Sequence, residues 1–256
     1  METLKVVLLG IVQGITEFLP VSSSGHLVIA GDFLKPEGRP ILLNIFLHFG
    51  TLIAIMIVYW NDLWRILREE RMMIIYIVIA TIPAVVVALL AGDKLETFFE
   101  NIDYIGYFLI VTGLFLLAGR FADKKLSVKK QVGWINSIAV GIAQALALFP
   151  GISRSGSTIS MGMIFGMDRD KAARFAFLIA IPVILGAVAK KTLDLVVSGH
   201  REQFNLILVM GMVTSAVVGY FALKLLLRMV HRGNLSWFSY YCFFIGICTI
   251  IYSVLR

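Results

Sequence analysis

Pro20-Val21-Ser22-Ser23-Ser24-Gly25-His26 breaks an apolar run that covers residues 4–34, and Pro150-Gly151-Ile152-Ser153-Arg154-Ser155-Gly156-Ser157-Thr158 breaks another over residues 134–167. Proline removes a helix hydrogen bond and its ring clashes with the preceding turn, so each first arm is expected to end near its proline. The serines and glycines that follow suit a turn and the N-cap of a second arm. A bilayer core of ~30 Å takes about 20 helical residues, and neither half of either run is comfortably that long. Both therefore read as re-entrant helix–loop–helix hairpins. A polar loop at that depth must be buried in protein or line a water-filled cavity.

The remaining sequence shows why lipid is the solvent. Of 256 residues, 59% are hydrophobic and only 15% are charged, against about 25% charged in a soluble domain. Full spans are expected over about 42–60, 72–91, 104–121, 173–189, 206–227 and 237–255. The net charge of +7 sits in short loops between apolar segments. That is the pattern of topology-setting charge beside an anionic membrane surface, and it argues against nucleic acid as a partner. The N-terminal run has a lone Lys5 and contains Gln13 and Glu17 ahead of Pro20, so it reads as a hairpin arm and not as a cleaved signal. Cys242 and Cys248 point to different faces of one apolar segment, which suits packing better than a disulfide or a metal.

The two breaks are related. Gly10, Gln13 and Phe18 recur as Gly141, Gln144 and Phe149, and Ser24-Gly25 recurs as Ser155-Gly156, all at an offset of 131. The offset persists downstream, at 132 for Ala84-Val85-Val86 against Ala216-Val217-Val218 and at 133 for Gly113 against Gly246. Chance apolar similarity would not hold one offset over so long a stretch. The expected architecture is an all-α polytopic membrane protein, residues 1–256 forming one membrane domain. Residues 1–120 make a first repeat and residues 133–256 a second. A hairpin returns to its own side and three spans do not, so the second repeat is expected to be inverted, with both hairpins meeting near the midplane.

Lys and Arg counts set the orientation. Arg65, Arg68, Arg71, Arg120, Lys124, Lys125, Lys129, Lys130, Arg169, Lys171, Arg174, Lys224, Arg228 and Arg232 fall on one side. Lys5, Lys35, Arg39, Lys94, Lys190, Lys191, Arg201 and Arg256 fall on the other. The positive-inside rule makes the first side cytoplasmic and puts both termini and the first hairpin's mouth outside.

Within apolar sequence, ionisable residues mark sites, because a charge at the bilayer centre costs at least ~2.5–3.5 kcal/mol. Glu17 lies at the end of the first hairpin arm, with Gln13 one turn earlier on the same face. Arg154 lies in the second tip. If the hairpins meet, these become the opposite charges of one interior site; a purely structural ion pair is the plainer alternative. Both tips suit an anion. Small residues lead into the start of a second arm, where unpaired N–H groups favour negative charge. Hydroxyls gather there: Ser22, Ser23, Ser24, Ser153, Ser155, Ser157 and Thr158, with Gly25 and Gly156 between them. Arg suits phosphate through two parallel hydrogen bonds. His26 follows the first tip directly and reads as functional. His48, mid-span in Phe46-Leu47-His48-Phe49-Gly50-Thr51, divides evenly between a site residue and a helix–helix hydrogen bond.

At this point the motifs carry a resemblance. Gln13 to His26 resembles the [E/Q]xxxE…PVSSxGH signature of the undecaprenyl-pyrophosphate phosphatases, also called bacitracin-resistance proteins, and Pro150 to Thr158 resembles their PGxSRSxxT signature. The resemblance extends over essentially the whole chain. It implies hydrolysis of undecaprenyl pyrophosphate to undecaprenyl phosphate and inorganic phosphate in the bacterial plasma (inner) membrane, recycling the cell-wall lipid carrier and conferring bacitracin resistance. It also implies a divalent cation, Mg²⁺ or Ca²⁺, with Glu17 and Gln13 as its ligands. Carried over by motif position, Ser23 and His26 are candidate catalytic groups beside Glu17, and Arg154 is the phosphate-binding arginine. The remaining tip hydroxyls and glycines are candidate substrate contacts. Gln13 stands where the family takes Glu or Gln, leaving one carboxylate and a carbonyl oxygen for a hard cation.

Chemistry on the residues alone leaves the nucleophile open among Ser23, His26 and a metal-bound water. The expected partners are a polyprenyl pyrophosphate whose tail stays in lipid, the membrane lipids, and a second copy of the chain in a homodimer. A transporter or lipid flippase would share inverted repeats and a midplane anion site. A non-catalytic scaffold would not need Glu17, His26 and Arg154 together.

Overall fold

The computed structural model describes residues 1–36, 40–99, 102–125, 131–197 and 205–255. Among them the chain is all-helical, with eleven helices: α1 (Glu2–Phe18), α2 (Ser23–Leu34), α3 (Pro40–Val58), α4 (Trp60–Arg68), α5 (Arg71–Phe99), α6 (Ile102–Lys125), α7 (Trp134–Leu146), α8 (Arg154–Ile164), α9 (Arg169–Val197), α10 (Leu206–His231) and α11 (Ser236–Leu255). Six of these, α3, α5, α6, α9, α10 and α11, are long and apolar enough to cross a membrane. They coincide with the six expected spans. Several run past the expected ends, because a helix continues beyond the apolar stretch that betrays it in sequence.

The two broken runs divide as their prolines require. α1 stops at Phe18, and Leu19, forced out of helical geometry by Pro20, is extended at φ −61°, ψ 139°. α7 stops at Leu146 and unwinds through turns in which Leu148 and Phe149 donate to Ala145 and Leu146. Each second arm starts on a serine cap. Ser22 accepts from the Gly25 N–H and Ser153 from the Gly156 N–H.

Lipid supplies no hydrophobic drive between helices, so close packing of small residues must hold them together. α1 lies on α10 with Gly10 against Gly211 and Gly14 against Gly219. α7 lies on α5 with Gly141 against Ala80. α6 and α11 cross where a Cβ on Gly106 would come within 2.7 Å of the Gly246 carbonyl, and one on Gly246 within 2.8 Å of the Gly106 carbonyl. The first half of α9, Ala172 to Ala180, runs through the centre and packs with Phe18, Ile55 and Leu223. Pro83 and Pro182 lie inside α5 and α9, as membrane helices tolerate. Cys242 is buried, Cys248 is exposed, and both are free thiols.

The expected spans end at about residue 60 and resume at about 72, and most of the stretch between them forms α4. Asp62 in its first turn and Arg65 and Arg68 in its last complement the helix dipole. Trp60, Trp64 and Leu67 are exposed along it while Ile66 is buried. Arg174 of α9 clamps it from inside, donating to Asp62 at 2.7 Å and Glu70 at 2.9 Å. His231 approaches Asp170 at 3.0 Å and Arg169 approaches Asp123 at 3.8 Å. Of the residues assigned to one side by charge counting, Arg65 and Arg174 meet at Asp62 and Glu70, and Arg169 lies on the same first turns of α9 as Arg174. Of the other charges counted, Arg39, Lys129, Lys130, Arg201 and Arg256 lie outside the described residues, as do the side chains of Lys94, Lys124 and Lys125.

Candidate active site

The site is assembled at the last turn of α1. Gln13, Gly14, Thr16, Glu17 and Phe18 are all buried there, so the carboxylate of Glu17 must be satisfied by protein. Four side chains reach it. Gln13 donates its Nε2 to Oε2 at 3.1 Å from one turn below. Ser23, the first residue of α2, donates its Oγ to the same oxygen at 2.5 Å. Arg154, the first residue of α8, forms an ion pair through Nη2 with Oε1, and its Nη1 reaches the Ala180 carbonyl of α9 at 3.4 Å. His48 of α3 brings Nε2 to 3.9 Å from Oε2.

Exposure separates these groups. The Glu17 side chain is 4% accessible, whereas Arg154 is 17% and His48 is 30%. The carboxylate is held at the back of the cluster, and the guanidinium and imidazole form its accessible edge. A buried ion pair of this kind loses much of its Coulomb gain to desolvation, so stability alone does not account for it.

The tips interlock reciprocally. A Cβ on Gly25 would meet the Gly151 backbone at 3.3 Å, and one on Gly156 would meet Pro20 at 3.2 Å. Gly151 has φ +103°, a region glycine enters at no steric cost. Its N–H donates to Ser22 Oγ at 3.1 Å, and its carbonyl accepts from Thr112 Oγ1 of α6 at 2.8 Å. The Ser153 N–H donates back to Thr112 Oγ1 at 2.8 Å.

Most tip hydroxyls serve this scaffold. Ser22 and Ser153 cap α2 and α8, with Ser24 and Ser155 each 3.2 Å from the respective cap oxygen. Ser155 also reaches the Leu19 carbonyl at 3.5 Å. Ser157 and Thr158 donate to the Arg154 carbonyl, at 3.2 and 2.6 Å. Among the candidate hydroxyls, Ser23 is the one joined to Glu17. His26 stands apart from the carboxylate: its Nδ1 lies 2.8 Å from the Ser22 carbonyl and its Nε2 2.8 Å from the Tyr241 hydroxyl of α11.

Sequence reasoning weighed His48 evenly and did not place Thr112 or Tyr241. A histidine inside an apolar span was the available signal for His48. Thr112 and Tyr241 gave none, since both residue types are common in membrane helices.

The family model for bacitracin resistance protein BacA matches residues 6–248. The chain belongs to that family. Among BacA-family relatives, a protein of Halothermothrix orenii named undecaprenyl-diphosphatase is 41% identical over 254 residues, covering 98% of this chain and 98% of that protein. Proteins of the same name from Rhodopirellula baltica and Christiangramia forsetii are 41% and 38% identical, each comparison covering 99% of both chains. The similarity thus extends across both proline-broken runs and all six long apolar helices.

Proposed function

We propose that the chain is a membrane-embedded undecaprenyl-diphosphatase that hydrolyses undecaprenyl pyrophosphate to undecaprenyl phosphate and inorganic phosphate. The observation that carries this reading is the Ser23–Glu17–Arg154 line, in which a hydroxyl donates to a buried carboxylate that is paired with an arginine from the other hairpin. Ser23 is the nucleophile. Its proton already points at a carboxylate, whereas both nitrogens of His26 are engaged by other partners.

When the pyrophosphate arrives, Arg154 turns its fork from Glu17 to the terminal phosphoryl oxygens. That exchange leaves the Glu17 carboxylate free to accept the Ser23 proton. Oγ attacks the terminal phosphorus, the bond to the bridging oxygen breaks, and undecaprenyl phosphate leaves with its tail still in lipid. Glu17 passes the Ser23 proton to the departing undecaprenyl phosphate and is a carboxylate again. Water then attacks the phosphoserine phosphorus, Glu17 takes the water's proton and returns it to the Ser23 oxygen as the P–Oγ bond breaks, and inorganic phosphate departs. Charge spread over the transferred group is the main demand of such a transfer, and Arg154 with the N–H groups opening α2 and α8 answers it.

A divalent cation fits the donor set. Gln13 Oε1 is buried without a hydrogen-bond partner, beside the Glu17 carboxylate, and both are hard oxygen donors. Gln13 and Glu17 would hold the ion. Among the described residues no group of three His, Cys, Asp or Glu gathers, so phosphate oxygens and water must complete its shell, as is usual for Mg²⁺. When bound, it supplies further neutralisation of the phosphoryl charge. Purified in detergent with Mg²⁺ or Ca²⁺, the protein is expected to release phosphate from polyprenyl pyrophosphates, and EDTA to stop it. No release would sink the assignment, and full activity after thorough chelation would remove the cation from it.

The same reading makes α1–α2 and α7–α8 re-entrant hairpins of two inverted repeats in the plasma (inner) membrane, with the site opening outward. The packing supports it, because α1 meets α10 through Gly10 as α7 meets α5 through Gly141, the residue at the repeat offset. A reporter fused at Lys129 should then read as cytoplasmic and one fused after Arg256 as external. Both reading the same side would overturn the inversion.

A further inference from the structure

We propose that Tyr241 is a positioning residue of this hydrolase, fixing the His26 imidazole one turn beyond Ser23 on α2. The inference rests on the hydrolase reading given above and goes beyond it by giving His26 a part in turnover, through its place one turn from Ser23. His26 lies three residues beyond Ser23 on α2, so both side chains leave the same face of that helix.

The ring has two anchors. A carbonyl oxygen can only accept, so the 2.8 Å contact to the Ser22 carbonyl puts a hydrogen on Nδ1. Nε2 of the neutral ring is then left with its lone pair, which accepts from the Tyr241 hydroxyl at 2.8 Å. If Nε2 gains a proton during turnover, the same phenol oxygen can accept from it. A hydroxyl serves both forms, which an amide nitrogen or a carbonyl alone would not. The two rings also lie nearly parallel, 13° apart with centroids 5.7 Å apart, an offset stack that limits rotation of the imidazole.

The other anchor is stiff. Ser22 sits at φ 70°, a left-handed conformation uncommon outside glycine. It is held there from several directions: its Oγ accepts the Gly25 and Gly151 N–H groups, and its carbonyl accepts the His26 N–H at 3.2 Å. Strain persists in this way where the surroundings over-determine it. One end of the imidazole is therefore set by the first hairpin and the other by α11, from the far half of the chain.

A mere clip between α2 and α11 is the competing role, and the fold contains its own control. Tyr252, lower on α11, hydrogen-bonds Asp32 near the end of α2 at 3.2 Å. The experiment measures kcat, KM and Tm for Tyr241→Phe, His26→Ala, the double variant and Tyr252→Phe, using polyprenyl pyrophosphate in detergent. Tyr241→Phe keeps the ring and removes the hydroxyl. It is expected to lower kcat roughly 3- to 10-fold, the worth of one net hydrogen bond, with KM and Tm little changed. On the His26→Ala background it should cost nothing further, and Tyr252→Phe should leave kcat as it was. An equal loss on the His26→Ala background, or an effect of Tyr241→Phe confined to Tm or KM, overturns the proposal while leaving the hydrolase reading intact. A His26→Ala variant with the parent kcat would instead overturn the role of His26, and Tyr241's with it. ¹⁵N spectra of the imidazole give a second readout: the form with hydrogen on Nδ1 should dominate in the parent, and Tyr241→Phe should weaken that preference.

Discussion

Arg154→Ala is expected to lower turnover by about 10²–10³, because losing one charge-assisted donor to a transition-state oxyanion typically costs ~2.7–4 kcal/mol. The structure adds a second consequence. Glu17 is buried, and removing its partner leaves a carboxylate with only the Gln13 and Ser23 donors, a situation that destabilises by ~3–5 kcal/mol where a buried pair is broken. Turnover and thermal stability should therefore both fall. The two effects separate in Arg154→Ala/Glu17→Gln, which removes both charges: melting temperature should recover and activity should not. Arg154→Lys keeps the charge but not the fork, and should restore little turnover. Glu17→Gln alone preserves shape but turns one acceptor oxygen into a donor and removes the base, so its turnover should fall at least as far as that of Arg154→Ala. If the single variants lose stability but keep near-parental turnover, the pair is a structural bridge and the site is elsewhere.

Ser23→Ala should have the largest effect of any single change, on the order of 10⁴–10⁶ in kcat, as removal of the nucleophile does in a hydrolase with a covalent intermediate. Little stability should be lost, since Ser23 contributes one hydrogen bond and the cap of α2 belongs to Ser22. Rapid quench of the parent with substrate labelled in the terminal phosphate should trap label on the protein, and Ser23→Ala should trap none. Turnover within about tenfold of the parent in Ser23→Ala, with no labelled protein at any time, would hand the attack to water. In that outcome Glu17 and Arg154 keep their places and Ser23 becomes a hydrogen-bonding neighbour.

Much of this was legible along the chain. Pro20 and Pro150, each followed by Ser and Gly, mark where a helix gives way to a turn, and six runs of apolar residues long enough for a bilayer leave little choice of element. Glu17 and Arg154 were conspicuous because a charge in hydrocarbon is costly unless partnered, and the structure pairs them. Helix α4 was missed for a related reason: at nine residues with charges at both ends it is too short to register as a span. The serines could be counted but not sorted. Whether a hydroxyl caps a helix or faces a carboxylate depends on rotation by a fraction of a turn, and Ser22 and Ser23 take different roles although adjacent.

From the sequence alone came the six long spans, the two breaks that separate shorter helices and the residues whose burial demands a reason. All of these follow from local rules: helix periodicity, proline's missing donor and the thickness of the bilayer. Only the tertiary structure decided who meets whom. Glu17 and Arg154 are 137 residues apart, His26 and Tyr241 are 215 apart, and His48 reaches Glu17 from a third helix. Such meetings depend on how helices rotate and slide as glycines such as Gly10, Gly14 and Gly106 let backbones approach. In lipid that packing contributes much of the adhesion between spans, and no stretch of a single helix encodes it.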